Sequence, residues 1–100
     1  MDKIDYAILN AVLIHPHRHL SRMEIADFIC TMSFNTKETW TEVYGVIECL
    51  KDEGLLTFQQ YIGAKKLEDP LVSITTNGRW NYHVYQWTYP HLKKYAPESL

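Results

Sequence analysis

Cysteine is nearly missing from this chain: Cys30 and Cys49 are its two thiols. That is too few for a disulfide framework, and their spacing fits no zinc knuckle, so the expected compartment is a reducing cytoplasm. No apolar run approaches the roughly eighteen residues that cross a membrane. Residues Met1-Asp2-Lys3-Ile4-Asp5 carry acids where a secretory leader is basic and then apolar. A Gly-rich phosphate loop, a nucleophile elbow and a His-Glu-x-x-His pair are all absent. The carboxylates are scattered, and 100 residues leave little room for a substrate cleft, so no enzyme and no cofactor are expected. Charge of one sign is lacking too, with 10 Lys+Arg against 12 Asp+Glu and a net charge of −2. This excludes a protein that coats nucleic acid by bulk charge, but not one that gathers its basic residues on one face.

What is present is enough for one packed domain, residues 1–100. Hydrophobic residues make up 46% and aromatics 13%, with 22% charged, a composition of folded rather than low-complexity chains. Ile4, Ala7, Ile8, Ala11, Val12 and Ile14 recur at helical spacing and predict a first helix over 3–14. Lys3, Asp5 and Asn10 fall on its solvent side. His15-Pro16 ends it, because a residue before proline is pushed out of the helical region.

Ser21-Arg22-Met23-Glu24 has the spacing of a capping box, in which serine oxygen and glutamate each satisfy a helix-start amide. It opens a second helix over 22–31. Residues 31–38 read as a polar turn, and Thr39-Trp40-Thr41-Glu42 as a second capping box. Val43, Val46, Ile47, Leu50 and Leu55 then carry a third helix over 40–53, closed by Gly54. Gly45 inside it costs up to about 1 kcal/mol relative to alanine. Either something packs closely there or the position tolerates the loss. The period changes to two over 55–62 and again over 71–75, predicting an antiparallel hairpin around a charged loop, 63–70. Asn77 is the expected cap of a last helix over 78–88, ended by Pro90.

Three helices, a hairpin and a final helix give a mainly α fold with a small antiparallel hairpin, the order of a winged helix. Val43-Tyr44 through Leu50-Lys51-Asp52-Glu53-Gly54-Leu55-Leu56 resembles the recognition helix and its exit in PadR-like transcriptional regulators. Ser73-Ile74-Thr75-Thr76-Asn77-Gly78-Arg79 is similar to their second wing strand running into the last helix. Ser21-x-x-Glu24-Ile25-Ala26 is similar to the start of their second helix. The likeness covers roughly residues 4–90. It departs from the family in a longer 31–38 segment and in an acidic third helix, where Glu38, Glu42 and Glu48 accompany Lys37.

The resemblance implies double-stranded DNA as partner, with helix 3 in the major groove and the wing near the minor groove or phosphates. Candidate DNA-binding residues are Thr36, Lys37, Thr39, Trp40, Thr41 and Tyr44 around the start of helix 3, Lys65 and Lys66 on the wing, and Arg22 facing the backbone. It also implies a homodimer built on the C-terminal helix, residues 78–95. There Trp80, Val84, Trp87 and His91 form one stripe and Tyr82, Tyr85 and Tyr89 another. One stripe can pack on helix 1, and the tyrosine stripe is expected to be left uncovered. The candidate dimer residues are Trp80, Tyr82, Tyr85, Trp87 and Tyr89. His15, His17 and His19 alternate around Arg18 without a second ligand cluster, so no metal site is expected, and Cys49 reads as a small core residue. The competing function is a winged-helix protein-interaction module that does not bind DNA.

Overall fold

In the computed structural model, residues 3–15, 19–31 and 40–88 are described, and every statement below concerns them. The elements run α1 (Lys3–Leu13), β1 (Leu20–Ser21), α2 (Arg22–Thr31), α3 (Trp40–Asp52), β2 (Leu56–Ile62), β3 (Lys65–Ile74) and α4 (Thr76–Thr88). The strands form one antiparallel sheet in the order β1-β3-β2. Together they make a winged helix, as the order of elements predicts, with a third strand added.

At the centre lies α1, which meets α2, α3, α4 and β3. Ile4 and every residue from Tyr6 to Val12 are buried, so the helix is enclosed on nearly all sides rather than presenting one apolar stripe. Asn10 is therefore not a solvent-facing residue. It is fully buried, and its Oδ1 accepts a hydrogen bond from the Tyr82 hydroxyl at 2.5 Å. Tyr82 in turn stacks on Tyr6 with ring centroids 4.9 Å apart. Gln86 donates to the Tyr6 hydroxyl, completing a polar chain between α1 and α4. Burial, reinforced by the bond from Tyr6, pushes the Tyr82 phenol far above its ordinary pKa, so it remains a neutral donor.

The Ser21–Glu24 capping box forms as its spacing dictates. The Glu24 amide donates to Ser21 Oγ at 3.1 Å, and the Ser21 amide to Glu24 Oε1 at 3.2 Å. Leu20 and Ser21 also pair with Val72 and Leu71, a two-residue strand too short to show a period. At the end of α3, the Leu55 amide donates to the Leu50 carbonyl and the Gly54 amide to that of Lys51, with Gly54 at φ 80°. This is the Schellman arrangement, with Leu50 and Leu55 both buried beside it.

The cap of α4 is Thr75 rather than Asn77. Thr75 Oγ1 accepts from the Gly78 amide at 2.9 Å and donates to the Gly54 carbonyl at 2.6 Å, tying the start of α4 to the exit of α3. Gly78 is buried at this joint, where an added Cβ would collide with the Leu55 carbonyl oxygen and the Ile74 side chain. That close approach gives the glycine of the Gly78-Arg79 motif its physical reason.

The hairpin is longer than its sequence suggests. Residues 65–70 belong to β3 rather than to a loop, and the turn is Gly63-Ala64 alone, with Gly63 at φ 60°. A Gly-X pair is the signature of a two-residue type II′ hairpin. The register breaks on the way to the tip: Gln59 faces Leu71, but Tyr61 faces Lys66. Gln60 thus stands alone opposite residues 67–70, and its side chain spans the gap to the Leu67 carbonyl at 2.9 Å. Pro70, which has no amide to give the ladder, lies within this break.

Candidate nucleic-acid interface

Helix α3 buries Val43, Ile47 and Leu50 and turns Trp40, Thr41, Glu42, Gly45 and Cys49 outward. Cys49 falls off the buried stripe and is an exposed free thiol, not a core residue. Trp40 leans on Tyr44 with ring centroids 6.3 Å apart. Among the described residues no neighbouring atom would lie within 4 Å of a Cβ at Gly45, so none of them packs closely there. Thr36, Lys37 and Thr39, with the capping box expected at Thr39, lie outside the described residues.

Arg22 does not face outward as a free cation. Its Nε donates to Asp69 Oδ1 at 2.8 Å and its Nη1 to Glu48 Oε1 at 2.7 Å. The guanidinium sits between two aromatic rings, 5.6 Å from the Tyr44 centroid and 5.8 Å from that of Phe58. Asp69 Oδ2 also accepts from the Met23 amide at 2.9 Å. The bond to Asp69 is the main cause that raises the Arg22 pKa, outweighing partial burial, with Glu48 adding to it. Partial burial pushes the Tyr44 phenol up as well. Arg22 is therefore a clasp that joins α2, α3 and β3, and it leaves the set of expected phosphate contacts. The same clasp engages Glu48, but one guanidinium shared between Glu48 and Asp69 leaves the cluster net acidic.

Lys65 and Lys66 stand exposed beside the wing turn and make no ion pair among the described residues. Tyr61 and Ile62, exposed by 53% and 55%, stand opposite them: Tyr61 across from Lys66 and Ile62 across from Lys65. Sequence reasoning passed over these two apolar side chains because a short alternating run does not reveal how far a hairpin projects beyond its core. Lys51 lies at the base of the wing, its Nζ 5.3 Å from the Phe58 ring centroid.

On α4 the two stripes are the reverse of the expectation. The tyrosine stripe packs inward: Tyr82 is buried and Tyr85 is half-buried against the core. Tyr82 is consequently removed from the candidate dimer residues, because its hydroxyl finds partners inside its own subunit. The tryptophan stripe faces outward, with Trp80 exposed by 69% and Trp87 by 87%. With His83 and Val84 they line an open apolar groove of about 220 Å³. Tyr89 and His91 lie outside the described residues.

His15 and His19 border a cavity of about 210 Å³ together with Val12, Val72, Ser73, Ile74 and Arg79. His19 Nδ1 lies 2.9 Å from Ser73 Oγ, and His15 Nδ1 bonds the Ala11 carbonyl at 2.8 Å. Among the described residues no three His, Cys, Asp or Glu side chains are grouped to hold a metal ion. His17 and Arg18 lie outside them. No helix among the described residues is long and apolar enough to cross a membrane.

No protein-family model and no curated protein matches the sequence. Solved structures do. PadR of Bacillus subtilis, in complex with operator DNA, matches with a TM-score of 0.66 and 26% identity over 81% of this chain. A point mutant of MepR from S. aureus matches with a TM-score of 0.65 and 16% identity over 90% of the chain. A second MepR mutant, from a multidrug-resistant S. aureus clinical isolate, matches with a TM-score of 0.66 and 15% identity over 91%. The chain spans 45% of the PadR chain and 59% of each MepR chain. With the helix order, the three-stranded sheet and the projecting wing, these likenesses make the fold that of a PadR-like winged helix.

Proposed function

We propose that this chain is a DNA-binding transcriptional regulator that reads duplex DNA with helix α3 and its wing. The observation that carries the reading is its likeness, over 81% of its length, to a PadR captured on operator DNA. Two local features support it: the start of α3 is outward-facing, and Lys65 and Lys66 stand exposed beside the wing turn with no ion pair among the described residues. Base contacts come from the first turns of α3, including Trp40, Thr41 and Tyr44, with Thr36, Lys37 and Thr39 just before it. Phosphate contacts come from Lys37, Lys65 and Lys66. The protein acts in the cytoplasm, as a homodimer joined through the outward tryptophan face of α4, and has no catalytic activity. Two subunits then present two recognition helices to a pseudo-palindromic site.

The test is fluorescence anisotropy of labelled random-sequence duplex, titrated at low and then physiological salt. Micromolar or tighter binding that weakens steeply with salt is expected. Absence of binding even at low salt favours a winged-helix protein-interaction module, a reading for which the exposed Trp80 and Trp87 supply the docking face.

A further inference from the structure

The sheet keeps all its charges on one strand: Lys65, Lys66, Glu68 and Asp69 lie on β3, and so does its one proline, Pro70. Yet β3 is the central strand, and β2 is an edge that pairs with β3 alone among the described residues. Sheets ordinarily place lysine, proline and inward charges on the edge, where they keep another strand from adding to its amides and carbonyls. Here the seven-residue edge Leu56–Ile62 has no charge, no proline and no glycine. Thr57, Phe58, Tyr61 and Ile62 all favour extended backbone, and the last two are exposed by 53% and 55%. The opposite edge, β1, is two residues long and offers little to a further strand.

We propose that β2 is a self-association edge, which adds antiparallel to β2 of a second copy of this chain and joins the two sheets into one. Two observations select a second copy over a foreign strand. The edge is neutral, so a charged segment finds no counter-charge on it, whereas β2 meets β2 with no like charges opposed. Thr57 and Gln59 also stand exposed on one face of the strand. A hydroxyl and a carboxamide each donate and accept, so this pair bonds in both of the orders that a two-fold axis requires. An axis at Phe58 sets Thr57 of each copy opposite Gln59 of the other. The ladder to β3 is regular over 56–59 and breaks at Gln60, and past the break the Gln59 side chain donates to the Tyr61 carbonyl at 3.0 Å. The regular stretch is short, so the contact is weak and forms at high local concentration. It needs no DNA and is separate from the tryptophan face of α4, and a chain that uses both joins beyond a dimer.

The experiment is sedimentation velocity on the full chain without DNA, from about 10 µM to about 1 mM. It is run on the wild type and on Trp80→Ala with Trp87→Ala, so that the α4 face is accounted for separately. In both, the sedimenting mass is expected to double across that range. Thr57→Lys with Gln59→Lys, and Thr57→Glu with Gln59→Glu, set like charges against themselves across the axis. Each change is expected to weaken the doubling about tenfold or more. An equimolar mixture of the basic and acidic variants restores it, because opposite charges then face each other. Both positions are exposed, and unchanged thermal melting verifies that each variant folds. A mass that stays constant up to the highest concentration overturns the proposal. Doubling that persists in both like-charged variants places the contact elsewhere and overturns it too. Doubling lost in each variant and not restored by mixing rules out the second copy and leaves the edge to a strand of another protein.

Discussion

Two glycines show how differently one residue type can be constrained. Gly45 lies on the outward face of α3 with open space where a Cβ would stand, whereas Gly78 is pressed against the Leu55 carbonyl. Gly45→Ala is expected to stabilise the domain by up to about 1 kcal/mol, the ordinary helix preference of alanine. Gly78→Ala forces the α3 exit and the α4 start apart and costs about 1–3 kcal/mol. Urea denaturation of the two variants checks both, and a destabilised Gly45→Ala would mean that α3 has a neighbour on that face. The sequence leaves both outcomes open at Gly45, and only packing decides between them. At Gly78 the motif predicts a glycine without giving its reason, because the Leu55 backbone comes close only after α3 has ended. Asn10 and Tyr82 were unreadable for the same cause. A polar residue on a helix signals solvent unless a distant hydroxyl reaches it, and this one comes from α4.

Elements were legible where the information was local. The capping box at Ser21 and the helix stop at Gly54 follow from a few adjacent residues. β1 did not follow, since two residues acquire strand character only by pairing with β3. Nor did the Arg22 clasp, which joins residues far apart in sequence. It relates three elements at once, so its loss is a test of geometry. Arg22→Ala is expected to lower stability by about 1–2 kcal/mol, less than for a fully buried pair because all three side chains remain partly exposed. It should also weaken DNA binding by releasing the wing from α3. Because Arg22 positions the wing rather than touching phosphate, the dependence of log affinity on log salt should keep its slope. A slope shallower by about one would instead return Arg22 to the phosphate contacts. Arg22→Lys should rescue little, since an ammonium cannot reproduce two directed bonds in a plane between two rings.

At the scale of the molecule, α4 determines which surface is left for a partner. A helix with two aromatic stripes can bury one against α1, and composition alone does not say which. The buried Asn10 and Tyr6 decide it, because the Tyr82 hydroxyl bonds both Asn10 Oδ1 and the Tyr6 hydroxyl, and an indole in the same place leaves them without that bond; Asn10 Nδ2 has no partner among the described residues. The tryptophans are consequently the residues that face outward, beside an apolar groove. Aromatic residues of this kind are enriched where subunits meet, and a two-fold axis through α4 lets Trp80 and Trp87 of one subunit meet the same residues of its partner. Trp80→Ala with Trp87→Ala should therefore shift sedimentation velocity from dimer to monomer with little change in monomer stability, since neither side chain contributes to the core. Tyr82→Phe should destabilise the fold instead and leave association unaltered in the folded fraction. A dimer that survives the double tryptophan change would move the interface away from this face. Monomerisation with retained, weaker DNA binding would show that one winged helix suffices for contact and that pairing supplies the avidity for a two-half site.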